Sequence, residues 1–164
     1  MLQPDMISHI LAQGRFKSLF RFPRLYNNIM NVADNIMREE GFISYVNREL
    51  IAAYISKLNT DNYNYQKHLA LAEEMGAQNP IRQLEKPEGR VKLFFEFAQK
   101  VAHKKVTQKD IRIAKNKGLK EGEILEIIHI SALIGFFHRF ANGYGLKSFI
   151  GNEFEEAMHH TDAL

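Results

Sequence analysis

The chain has 164 residues, 45% of them apolar and 25% charged, which is enough to bury one substantial core, so a single domain is expected. Its 22 Lys and Arg stand against 19 Asp and Glu, a formal charge of +3 with no long run of one sign, so neither a basic arm nor nucleic-acid binding is expected. With no cysteine, the chain by itself is excluded from disulfides, thiolate catalysis, cysteine-bound zinc and iron–sulfur clusters.

No apolar stretch approaches the roughly 20 residues that a membrane-spanning helix needs. The longest candidate, Ile124 to Phe137, is interrupted by Glu126, His129 and Ser131. The start, Met1 to Gln13, carries Asp5 and His9 and lacks the basic residues and unbroken apolar block of an export signal. The expectation is a cytoplasmic protein that makes no use of a membrane.

The elements read as helix after helix. Pro23 suits a first turn, and Leu25, Ile29, Val32 and Ile36 then mark one face of a helix ending near Gly41. Ser44 is the N-cap of a second helix to about Lys57, carrying Leu50, Tyr54 and Leu58. Asn59, Thr60 and Asp61 form a break that caps a third helix with His68, Leu69, Ala72 and Met75, which stops at Gly76. Pro80 and Pro87 bracket a connecting segment. Val91, Phe94, Phe95, Ala98, Val101 and Ala102 have helical spacing, and the aromatic pair is expected in the core. Thr107 and Asp110 form a capping box that opens a short helix ending at Gly118. A long last helix carries Ile124, Ile127, Ile128, Ser131, Ile134 and Phe137 and ends near Gly143 and Gly145. No alternating strand pattern or hairpin turn appears, so the fold class is all-α.

Nucleotide-binding glycine loops, the serine-hydrolase elbow and the H-E-x-x-H zinc motif are all missing from the sequence. Glu126 and His129 have the i, i+3 spacing of di-iron bundles, and Glu156 and His159 repeat it. A metal there needs two further carboxylates, and local structural roles for these histidines are the better reading, so no metal is expected. His129 and His138, nine residues apart, point to opposite sides of one helix and do not share a ligand. A faint internal echo, Gly41-Phe with Glu49-Leu-Ile and Gly118-Leu with Glu126-Ile-Ile, would place Glu49 and Glu126 in related positions.

The segment Asn47-Arg-Glu-Leu, Ser56-Lys-Leu-Asn59 and Asp61-Asn-Tyr-Asn64-Tyr-Gln-Lys-His68 resembles the alkylhydroperoxidase D-like family, also called the carboxymuconolactone decarboxylase family, and most of all its peroxidase-related branch. Further matches are Phe97-Ala98, Val106-Thr107-Gln-Lys-Asp110, Gly118-Leu119, Glu123-Ile124, Glu126-Ile127 and Arg139-Phe-Ala-Asn. The resemblance runs from about Tyr26 to Leu146. It implies a compact multi-helix bundle over residues 25–146, flanked by an extension at 1–24 and a tail at 147–164.

In that family two cysteines precede the histidine by seven and four residues, and one thiolate attacks a peroxide while the other resolves the sulfenic acid. Those positions hold Asp61 and Asn64 here. The thiol peroxidase activity that the resemblance implies is therefore expected to be absent. The resemblance leaves Glu49 and His68 as proton-relay positions, with Tyr63 between the replaced cysteines. Asp61 reads first as a helix N-cap and Asn64 as a first-turn polar residue. For Glu49 and His68 a buried, mutually satisfied pair competes evenly with a working site. Arg139 is a charge partner for Glu49 or for an anionic ligand, and His138 joins it as a ligand-binding candidate. Two functions follow as expectations: a thiol-independent acid–base or binding site for a small acidic ligand, with no cofactor, or a non-catalytic scaffold. The family's habit of assembling as trimers or hexamers implies self-association, which 12 phenylalanines also suit.

Overall fold

The computed structural model describes residues 23–103 and 106–143, which contain seven helices and no strand. They are α1 (Pro23–Arg38), α2 (Tyr45–Leu58), α3 (Asn62–Glu74), α4 (Pro80–Glu85), α5 (Gly89–Ala102), α6 (Gln108–Asn116) and α7 (Glu121–Gly143). The all-α expectation holds. The readings of Gly145, Glu156 and His159, and of the 147–164 tail, lie outside the described residues.

Local chemistry sets most boundaries. The Ser44 side chain accepts the Asn47 N–H at the start of α2, and Thr107 and Asp110 form the reciprocal capping box of α6. Gly76 and Gly118 turn the chain away after α3 and α6 at φ values of +99° and +104°, where a side chain would be strained. The segment between Pro80 and Pro87 is more than a connection: Pro80 sits in the first turn of α4, where its missing N–H costs nothing, and Asn79 caps it.

Helix α2 is the axis of the molecule. Leu50, Ile51, Ala52, Ala53 and Ile55 are buried on all sides of it, because it packs against α3, α5 and α7 and also meets α1 and α4. Phe94, Phe95 and Phe97 of α5 and Ile124, Ile127 and Ile130 of α7 close the core, and Tyr54 stacks on Phe95 with ring centroids 4.4 Å apart. The face of α1 differs from the expected one. Among its described side chains Ala33 and Met37 are the buried ones, whereas Leu25 and Val32 are about half exposed. Ile36 of the predicted stripe packs against the core and Ile29 is half-buried, so the inward face keeps part of that stripe and is rotated toward Ala33 and Met37.

The loop between α1 and α2 is tied down by Arg48, which is 2% exposed. Its Nε donates to the Ile43 carbonyl (3.0 Å), and its Nη1 donates to the carbonyls of Ile36 (3.1 Å) and Glu39 (2.7 Å), satisfying groups left open at the end of α1. Its Nη2 lies 3.4 Å from Glu126, whose carboxylate also accepts the N–H groups of Phe42 and Ile43. Gly41 sits in this knot, and a Cβ there would collide with Arg48 Nη2 and the Glu126 carboxylate. Gly41→Ala is therefore expected to destabilise the protein by about 1–3 kcal/mol in urea denaturation.

Candidate active site

The turn between α2 and α3 positions the site. The Thr60 N–H donates to the Lys57 carbonyl (3.1 Å) and the Asp61 N–H to the Ser56 carbonyl (2.9 Å), the crossed pair that ends a helix with one left-handed residue. Thr60 fills that place at φ +55°, a strained conformation for a β-branched residue. Asp61 then caps α3 at once, so the two helices fold back on each other with no slack, and Glu49 of α2 meets His68 of α3.

Glu49 is fully buried. Its Oε2 lies 2.6 Å from His68 Nδ1, and its Oε1 lies 2.6 Å from Arg38 Nη1, an ion pair made off the line of a good hydrogen bond. Burial pushes the carboxyl upward, but His68 and Arg38 together outweigh it and hold Glu49 below its ordinary value of 4.5. The carboxylate fixes the imidazole through Nδ1, and His68 Nε2 has no hydrogen-bond partner among the described residues. A carboxylate-oriented imidazole with its second nitrogen available is the arrangement that accepts and returns protons.

Asp61 and Asn64 occupy the expected helix start. Asp61 accepts the Asn64 N–H (3.1 Å) and Nδ2 (2.7 Å), and His138 Nδ1 of α7 lies 3.4 Å from Asp61 Oδ2 while its Nε2 is 3.1 Å from Asn142 Nδ2. His138 thereby ties α7 to the cap of α3. Tyr63 is half-buried, and burial together with the Asp61 charge pushes its hydroxyl above its ordinary value. Arg139 does not reach Glu49. It is exposed and turns back to the Gly135 carbonyl of its own helix, and Arg38 takes the role expected of it. Nothing in the spacing of Arg38 announced this, since it depends on how the loop returns the end of α1 toward α2.

The structure also places Lys67, which sequence reasoning passed over, beside this pair. It is half-buried, makes no hydrogen bond or ion pair among the described residues, and lies within electrostatic reach of Glu49 and Arg38. Burial, aided by Arg38 and opposed by Glu49, holds its ammonium below the ordinary 10.5. The unfolded chain therefore binds more protons than the folded one between that depressed value and 10.5, and folding carries a cost at neutral pH. Lys67→Met is expected to raise stability at pH 7 by about 1 kcal/mol, read by thermal or urea unfolding.

A cavity of about 280 Å³ opens elsewhere, between α1, α2 and α7, lined by Asn35, Ile36, Glu40, Arg48, Glu126 and His129. Glu126 is occupied by the loop knot and His129 is exposed, and no three metal-ligating side chains come together among the described residues. Nor is any described helix long and apolar enough to cross a membrane.

No protein-family model and no curated protein matches the chain. Solved structures do. An alkylhydroperoxidase AhpD core from Ralstonia eutropha, an uncharacterized peroxidase-related protein, superposes with a TM-score of 0.69 at 22% identity over 81% of this chain and 75% of that one. The chain has the AhpD fold. A second uncharacterized peroxidase-related protein, from Silicibacter, gives a TM-score of 0.66 at 20% identity, covering 74% of this chain and 68% of that one. A protein of unknown function from Agrobacterium tumefaciens, provisionally placed with AhpD in antioxidant defence, gives 0.69 at 14% identity over 84% and 99%. The AhpD fold is carried here by a chain without a single thiol.

Proposed function

We propose that this AhpD-fold protein is a thiol-independent acid–base protein, acting on a small ligand at the Glu49–His68 pair, with Tyr63 and Lys67 at its margin. The observation that carries the reading is His68, oriented through Nδ1 by a buried carboxylate while Nε2 is left without a protein partner. Thiol peroxidase chemistry is not open to the chain, because neither Asp61 nor Asn64 can cycle through a sulfenic acid and a disulfide.

Rebuilding the lost half of the site tests the half that persists. The double variant Asp61→Cys, Asn64→Cys puts two thiols one turn apart at the start of α3, where the helix dipole favours a thiolate. It is expected to reduce an organic hydroperoxide at the expense of a dithiol, and His68→Ala in that background should slow turnover by about 10²-fold or more. A double variant that forms its disulfide yet gains no His68-dependent turnover would remove the acid–base reading.

In that event a second reading takes its place, a self-associating scaffold. It draws on Asp61, whose two oxygens are spent on Asn64 and His138, and on Glu49, whose two oxygens face His68 and Arg38. The half-exposed Leu25 and Val32 on α1 and the exposed Leu125 and Phe136 on α7 would supply its contact surface.

A further inference from the structure

The cavity between α1, α2 and α7 is a place apart from the acid–base pair, since neither Glu49 nor His68 lines it. At about 280 Å³ it has room for a molecule of up to roughly ten non-hydrogen atoms. The chemistry of its walls selects the ligand by elimination. Arg48, the most deeply buried residue of the lining, has little left for an anion: three of its N–H groups go to the carbonyls of Ile36, Glu39 and Ile43, and its remaining nitrogen faces Glu126. Glu126 is matched in turn by Arg48 and by the N–H groups of Phe42 and Ile43. The unmatched groups are the carboxylate of Glu40, the amide of Asn35 and the imidazole of His129, none of which makes a hydrogen bond or ion pair among the described residues.

We propose that this cavity binds a small primary amine as its ammonium ion, with Glu40 as the counter-charge and Asn35 and His129 as further acceptors. One unpaired negative charge with two neighbouring acceptors is the complement of an ammonium group, which carries one positive charge and three N–H donors. Ile36, partly buried against the core, offers apolar surface to a short alkyl chain. The spacing of Glu126 and His129 puts both on one face of α7, and it serves this cavity instead of a metal, for which no third ligand comes near among the described residues. Binding of the amine goes beyond the acid–base reading and does not depend on it.

Butylamine, added as its hydrochloride at constant chloride and about pH 8, where an alkylammonium keeps its charge, tests this on the whole protein by amide-resolved NMR. The amide signals of Asn35, Ile36, Glu40 and His129 are expected to shift saturably, with a Kd on the order of 1 mM for a ligand of this size. Butanol, with the same chain and no charge, and butyrate, with the opposite charge, should give no saturable shift at the same concentrations. Glu40→Gln removes the counter-charge from an exposed side chain that has no partner among the described residues, so thermal unfolding should be unchanged while butylamine binds at least about tenfold more weakly. Three results would each overturn the inference: no saturable shift even at tens of millimolar amine, butyrate bound as tightly as butylamine, or undiminished binding of butylamine by Glu40→Gln. Each of them leaves the His68-dependent turnover test standing, because the cavity shares no residue with that pair.

Discussion

Arg48→Met is expected to cost about 3–5 kcal/mol of folding stability, among the largest losses of any side chain outside the hydrophobic core. The guanidinium is almost wholly buried and donates to three backbone carbonyls, those of Ile36, Glu39 and Ile43, while its remaining nitrogen faces Glu126. Methionine fills much of the volume but leaves those carbonyls unpaired and Glu126 with only two backbone N–H partners. Arg90 gives the internal comparison. It also pairs with a buried glutamate, Glu123, but its own side chain is 46% exposed, so water replaces what Arg90→Met removes, and the loss should be near 1 kcal/mol. Guanidinium denaturation of both variants decides the matter, and equal losses would mean that the loop knot does not hold α1 to α7. Because Glu126 shares the network, Glu126→Gln added to Arg48→Met should cost much less than it does alone.

What could be read from the sequence depended on how local each cause was. The caps at Ser44, Asp61 and Thr107 with Asp110 were legible because each is complete within four residues. The pairing of Glu49 with His68 was legible only through resemblance, since 19 residues and a turn separate them. Arg38 was not legible at all, and Arg139 was proposed for its place, because a charge partner is chosen by the path of a loop that no periodicity encodes. The stripe on α1 held only in part for a related reason: Ile29 and Ile36 turn inward, but Leu25 and Val32 do not, because the rotation of α1 is fixed by tertiary contacts such as the Arg48 anchor at its end. Lys67 escaped notice as one lysine among many, and only its depth and its lack of a partner single it out.

Glu49→Ala should rank beside Arg48→Met, at about 3–5 kcal/mol, because it strands Arg38 and His68 around a cavity at the end of the most buried helix. The gentler Glu49→Gln separates charge from packing through its dependence on pH. The carboxyl of Glu49 titrates below 4.5 in the folded protein, since the pull of His68 and Arg38 exceeds the push of burial. A depressed carboxyl contributes stability that is fully present above the unfolded value and is lost as pH falls through the folded one. The stability difference between wild type and Glu49→Gln is therefore expected to be constant from neutral pH down to about 4.5 and to shrink below it. Taking the difference matters, because Asp110 also titrates well below the usual carboxylate range, held there by hydrogen bonds from Lys100 and Thr107, and contributes its own acid lability to both proteins alike. Urea unfolding of the pair across the acid range measures the curve. A difference that grows on acidification would mean that burial wins at Glu49, that the carboxylate is not the settled partner of His68, and that Nδ1 is not what orients the imidazole for proton transfer.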